Sequence, residues 1–178
     1  ALRILRMVKL IAAEDTRKTK RLLNAYDIKT PLTSYHEHNK WSKLEYILRF
    51  LDETGDVAVV SEAGTPGISD PGHELIVAAA QKGISIIPIP GPSVVVTALA
   101  VSALPTDRFT FIGFLPRVSN DRQRLLKTVV ADSGSLVVLE APHRLTDTLT
   151  DLLLILGDRR VTVCRELTKI HEEVFRGQ

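Results

Sequence analysis

An α/β fold with parallel strands is the class this sequence predicts, and three observations predict it. Six short strand-like segments alternate with helical periods along the whole chain. Several of these segments are apolar on successive residues, as expected where helices cover both faces of a sheet. Three of the strand-like segments also run through a Pro-containing turn straight into a helical period, which is the βα junction of such folds.

Taken in order, the predicted strands are VKLIAA (Val8 to Ala13), DVAVV (Asp56 to Val60), ISIIPI (Ile84 to Ile89), RFTFIGF (Arg108 to Phe114), SLVVLE (Ser135 to Glu140) and RVTVC (Arg160 to Cys164). Leu44, Ile47, Leu48 and Leu51 form an i, i+3, i+4, i+7 stripe, and Leu145, Leu149, Leu152 and Leu156 form a second. Stripes of this kind are core faces of helices, since each buried Leu contributes about 1.5–3 kcal/mol. Gly83 and Gly157 stand where helix C′ residues would, each just before a strand. Pro71, Pro92 and Pro142 fall at expected first helical positions, where a missing N–H costs nothing, and Asp70 is placed to cap the first of these helices. The turn at Pro116 in FIGFLPR divides the chain into expected lobes of residues 1–114 and 115–178.

Composition narrows the class further. The 178 residues are 44% hydrophobic and 25% charged, with a single Cys, which excludes a disordered chain, a disulfide scaffold and a thiolate zinc cluster. The most apolar stretch, Ile84 to Leu104, is interrupted by Pro88, Pro90, Gly91 and Pro92, so it falls well short of the ~20 residues a spanning helix needs. The formal net charge is +2, yet residues 1–29 carry net +5 and the remainder net −3. Any nucleic-acid contact is therefore expected to be local. Ala1 is not a Met, and ALRILRMV reads like the second half of a helix, as in a segment of a longer protein.

Ligands in α/β folds collect at the carboxyl ends of strands. The twelve-residue loop SEAGTPGISDPG is long for a βα connection. Its Gly64, Gly67 and Gly72 permit close backbone approach to a ligand, while Pro66 and Pro71 stiffen it; the plain alternative is a rigid turn. The PGPS turn carries a weaker signal of the same kind. There is no GxGxxG, P-loop or GxSxG motif. His36 and His38 read as a polar loop rather than a metal pair, and Cys164 as a small core residue. No metal site is expected. Arg17, Lys18, Lys20 and Arg21 crowd the start of one predicted helix, and Arg117, Arg122, Arg124 and Lys127 form a looser second group. Both suit phosphate contacts or, more plainly, solvated helix faces. Glu140, His143 and Arg144 gather at a helix start and offer a base, an acid and a phosphate clamp, or alternatively local capping and ion pairing.

The strings IAAEDTRKTKRLL, SYHEHN, VAVVSEAGTPGISDPG, IPIPGPS, LPTDRFTFIGFLPR, LEAPHR and RELTKIHEEVFRG resemble, in order and spacing, the rRNA-methylating branch of the tetrapyrrole-methylase-like (class III) S-adenosylmethionine-dependent methyltransferases. The resemblance covers essentially the whole chain. It implies two αβα lobes with the cofactor in the cleft between them, a homodimer, a cytoplasmic location with no membrane association, and methyl transfer to the ribose 2′-hydroxyl of a decoding-region cytidine in 16S rRNA of the small ribosomal subunit. By carry-over, Ala63, Gly64, Thr65, Ile68, Ser93, Val94 and Glu140 would contact S-adenosylmethionine. Arg17, Lys18, Lys20, Arg21, Arg117 and Arg144 would face rRNA. Glu140 and His143 are the candidates for the base that takes the ribose proton, with Asp15 and His36 behind them. Glu62 stands where the family commonly has Asp, and Ala141 where it has Ser. The family pattern begins with a strand and a Pro-Ile-Gly-Asn loop before Ala1 and ends with a closing strand after Gln178. Two other readings are a class III methylase acting on a small molecule such as a tetrapyrrole, and a non-catalytic module that binds RNA.

Overall fold

A computed structural model describes all 178 residues, in two compact units, Ala1–Pro92 and Ser93–Gln178. The first unit is built on a parallel three-stranded sheet. Its central strand β1 (Leu10–Ala13) lies between β2 (Leu32–Ser34) and β3 (Val57–Val60), with Ile11 opposite both Leu32 and Ala58. Successive β1 side chains point to opposite faces, and each face has its own core. Ile11 packs with Leu5, Val8, Leu23 and Ile28, bringing α1 (Leu2–Met7) and α2 (Thr16–Ala25) onto one side. Ala12 packs with Ile47, Leu48, Leu75 and Ala79, bringing α3 (Lys40–Glu53) and α4 (His73–Gln81) onto the other. That sandwich is why LIAA is apolar at four consecutive positions and wholly buried. The leucine stripe expected from the sequence is the inner face of α3.

The ISIIPI segment departs from its expected strand. Residues 84–89 form no regular element and pair with no strand, and Ile87 is 74% exposed. Only Ile84 is tied in, its amide donating to the Ala79 carbonyl at the end of α4 and its side chain lying against the α3–α4 core. An apolar run specifies burial but not a partner, and no partner strand for it lies among these 178 residues. Conversely, the β2 segment LTS lacks any alternation long enough to read, yet it is a strand because β1 is beside it.

The second unit opens with α5 (Val94–Ser102), followed by β4 (Phe109–Phe114), α6 (Ser119–Thr128), β5 (Ser135–Leu139), a short 3-10 turn (Pro142–Arg144), α7 (Leu145–Leu156), β6 (Val161–Arg165) and β7 (Glu173–Gly177). Strands β4 and β5 pair in parallel, with a register shift between Phe111 and Gly113 that Gly113 absorbs at φ +77°. Because β4 pairs with β5, the RFTFIGF segment packs with the residues that follow it. The two units thus divide after Pro92, upstream of the turn at Pro116. Strand β6 pairs antiparallel with β7, a segment whose apolar content is too low to announce a strand. The pair is tied to α5 by Thr162 donating to the Ser102 carbonyl (2.8 Å) and Arg176 donating to that of Val101 (2.6 Å).

Helix starts also differ from expectation at two of three prolines. Gly72 (φ +144°), not Asp70, occupies the cap of α4, and Ser93 caps α5, so Pro71 and Pro92 precede the first turns. Pro142 does sit at the start of its short turn, and Gly83 adopts φ +72° just past α4.

Candidate functional site

In the first unit the chemistry-bearing loop runs from Ser61 to Gly72, off the carboxyl end of β3. Its shape is fixed by glycine. The Gly67 amide donates to the Pro71 carbonyl (3.2 Å) and that of Ile68 to the Thr65 carbonyl (3.1 Å). A Cβ on Gly72 would lie 3.0 Å from the Gly67 nitrogen, and one on Gly67 3.3 Å from Ile76 Cδ1. The loop is therefore folded back on itself as a rigid cradle. Ala63, Gly64, Thr65 and Ile68 lie together on its exposed side, and the amides of Ala63, Gly64 and Thr65 donate to no acceptor within the chain. These are backbone donors of the kind that hold carboxylate and heterocycle acceptors. Asp70, behind the loop, has its carboxyl held above the usual range by burial, with the Glu62 charge adding to it against a hydrogen bond from Ser61.

The loop is braced from α2. Lys18 pairs with Glu62, and the Glu62 amide donates to Glu14 Oε2 (3.2 Å). Asp15, one of the reserve base candidates, is the α2 cap: its carboxylate accepts the amides of Arg17 (2.8 Å) and Lys18 (3.3 Å). Those amides and the Arg17 side chain hold its pKa below the usual range. His36, the other reserve, sits in the turn after β2, where its amide donates to Asn39 Oδ1 (2.8 Å) and its ring meets that of His38 edge-on at 6.0 Å. Lys40 crosses from this turn to Glu74 at the start of α4.

The second unit places Ser93 and Val94 at the start of α5, where the Ser93 carbonyl accepts both the amide and the hydroxyl of Thr97. Its densest polar cluster lies after β5. Glu140 accepts from the Ala141 amide (2.7 Å), Arg144 Nη2 (2.8 Å) and Thr148 Oγ1 (2.6 Å), with its side chain only 6% exposed. Burial pushes the Glu140 carboxyl up, but the Thr148 and Ala141 hydrogen bonds and the Arg144 charge outweigh it and leave the pKa below the usual value. Arg144 also donates to the Leu115 carbonyl (2.7 Å) and, more weakly, to that of Pro116. From the other side Arg122 donates to the carbonyls of Pro116 and Arg117, each at 3.3 Å, and pairs with Asp151 of α7 in a buried contact (Nε to Oδ2, 2.7 Å). Ser119 and Gln123 complete the Asp151 shell. Two neutralised arginines thus grip the Leu115–Arg117 backbone, leaving Arg117 and His143 as the exposed groups of this edge.

Glu140 and Arg144, expected to act on cofactor and RNA respectively, are consequently spent on one another and on backbone. Thr148, Arg122 and Asp151 are not legible in the sequence as members of this cluster. A signal for the first does exist, because Glu140, Arg144 and Thr148 are spaced four residues apart.

The sequence profile of the Tetrapyrrole (Corrin/Porphyrin) Methylases matches residues 1–178. The chain belongs to this family. A relative from Halalkalibacterium halodurans, Ribosomal RNA small subunit methyltransferase I, is 54% identical over 177 residues, covering 99% of this chain and 61% of the relative. The protein of that name from Thermotoga maritima is 49% identical over 178 residues, covering 80% of the relative. The chain spans about three fifths of the length of the first of these. Among solved structures, a cobalt precorrin-4 methyltransferase superposes with a TM-score of 0.67 at 16% identity, covering 98% of this chain and 76% of that one. That likeness establishes a tetrapyrrole methylase fold.

Proposed function

We propose that the protein transfers a methyl group from S-adenosylmethionine to the ribose 2′-hydroxyl of a decoding-region cytidine in 16S rRNA. The observation that carries this reading is the 54% identity, sustained over 99% of the chain, to a relative named for methylating small-subunit rRNA. The net +5 of residues 1–29 supports an RNA substrate over a small molecule.

S-adenosylmethionine supplies an electrophilic methyl group when bound. The exposed, unengaged amides of Ala63, Gly64 and Thr65 fit its polar groups, and Ile68 offers an apolar surface beside them. Ser93 and Val94 are further proposed cofactor contacts. Most of the acceleration is expected from in-line placement of oxygen and methyl carbon, since correct positioning alone can supply several kcal/mol, about 7–11 in well-oriented systems. Of the two base candidates, Glu140 is already hydrogen-bonded on both oxygens and serves as a positioning residue, whereas His143 is exposed and unengaged. His143 is therefore the group assigned to receive the ribose proton. Arg17, Lys20, Arg21 and Arg117 are assigned to rRNA, Lys18 to bracing the glycine loop through Glu62, and Arg144 to holding the turn that carries His143. The protein acts as a homodimer in the cytoplasm. No helix is long and apolar enough to cross a membrane.

The test is methyl transfer from labelled S-adenosylmethionine by the full-length protein to unmethylated small ribosomal subunits, to free 16S rRNA and to a precorrin, side by side. Label on a cytidine ribose of the subunit RNA is the expected result. Transfer to the precorrin alone, or to a base rather than a ribose, would overturn the reading.

A further inference from the structure

The basic residues at the start of α2 are not one patch. Helical spacing places Arg17, Lys20 and Asn24 on a common face, whereas Lys18 faces the other way and is consumed by Glu62. The Arg17–Asn24 face forms one wall of an open groove of about 600 Å³ beside the edge strand β2. Lys29 and Thr30 form the opposite wall, and Leu23, Ile28 and Leu32 are the floor. No acidic side chain lines the groove. Arg17 meets the capping carboxylate of Asp15 at 3.4 Å, and Asp27 pairs with Lys29, but Arg17, Asp27 and Lys29 are all more than four-fifths exposed. Surface pairs of this kind are worth little and exchange readily.

We infer that this groove is a binding site for one nucleotide of single-stranded RNA, with the phosphodiester between Lys20 and Lys29 and the ribose or base over the Leu23–Ile28–Leu32 floor. Three cations without a lining carboxylate would concentrate a polyanion. The apolar floor favours a nucleotide over a free phosphate, and its size suits one residue of a strand rather than a duplex. Asn24 and Thr30 supply neutral hydrogen-bonding groups at the rim, suited to sugar or base atoms. This inference rests on the rRNA reading above and adds to it a location, together with Lys29, Asn24 and Thr30, which the charge pattern alone does not single out.

The experiment is fluorescence anisotropy of a labelled single-stranded oligoribonucleotide with the full-length protein across a salt series, comparing wild type, the K20A/K29A double variant and a K82A/R159A control of equal charge loss. Losing the contact to that phosphodiester should flatten the slope of log affinity against log salt by roughly 0.7 and weaken binding by about fivefold or more at moderate salt. The control should keep the wild-type slope. S-adenosylmethionine binding by calorimetry should be the same in all three, showing that the fold is intact. Equal slopes for K20A/K29A and wild type would overturn the groove, and so would an equal loss in the control, which would mean that only net charge matters. Methylation of small subunits by the wild type is scored separately, so the groove can fail while the rRNA reading stands. A wild-type protein that neither binds RNA nor methylates subunits would sink both.

Discussion

Arg144 Nη2 lies 2.8 Å from Glu140 Oε2 and 2.7 Å from the Leu115 carbonyl, so one guanidinium nitrogen joins the turn after β5 to the turn after β4. This makes the APHR turn rigid without committing His143, and it separates the two residues that sequence alone offers as interchangeable bases. If Glu140 only positions, Glu140→Gln, which keeps the side-chain shape but turns one acceptor into a donor, should still retain a measurable part of methyl transfer. His143→Ala should lower the turnover number by about 10²–10⁴-fold, the span of general-base contributions. A pH–rate profile separates the roles further. Glu140→Gln should leave the shape of the profile unchanged, whereas His143→Ala should alter it. Loss of activity in Glu140→Gln with a displaced profile would return Glu140 to the chemistry.

The Arg122–Asp151 pair should dominate the stability of the second unit. Removing one partner of a buried pair leaves an uncompensated charge and typically costs about 3–5 kcal/mol. Asp151→Ala is expected to cost that much in urea unfolding, with Arg122→Met similar. The Arg122→Met/Asp151→Leu double variant should recover a large part of the loss. Additive losses in the double variant would mean that the pair is not coupled.

Acid should destabilise the same unit. Glu140 and Asp151 both have folded pKa values below their ordinary values of 4.5 and 3.8. A depressed carboxyl stabilises the fold fully above its unfolded pKa and ceases to do so as pH falls through the folded one. Thermal midpoints should be flat through neutral pH and begin to fall below about pH 4.5. The fall should be shallower in an Arg122→Met/Asp151→Leu protein, as differential scanning calorimetry would show.

The loop from Ser61 to Gly72 should be intolerant of small additions. Gly72→Ala places a Cβ 3.0 Å from the Gly67 nitrogen at φ +144°, and strain of this kind costs on the order of 1–3 kcal/mol. Since Gly72 is buried and caps α4, the expected outcome is weakened S-adenosylmethionine binding in calorimetry together with an unfolding midpoint lowered by several degrees. Gly64→Ala, where the nearest atom is 3.9 Å away but φ is +74°, should be milder. Unchanged cofactor affinity in both would argue that the cradle is not the binding loop.

The fold class follows from local patterns because those patterns record burial. LIAA is apolar throughout since helices cover both faces of β1, and the α3 stripe shows which face of that helix turns inward, whereas the buried positions of α7 are Thr148 and Asp151 rather than its leucine stripe. The glycine loop is legible because twelve residues with three glycines are far more than a simple strand-to-helix turn requires. What the sequence does not determine is pairing and partnership. ISIIPI reads as a buried strand yet pairs with none of these 178 residues, LTS shows no strand pattern yet joins the sheet, and EVFRG becomes a strand only against RVTVC. Hydrogen-bond ladders are made between segments, so no single segment encodes them. The same holds for charge. Composition marks Lys18 and Lys20 as equivalent, and Glu140 and His143 as alternative bases. Only tertiary contacts, with Glu62 taking Lys18 and with Arg144 and Thr148 taking Glu140, decide which groups remain free for chemistry.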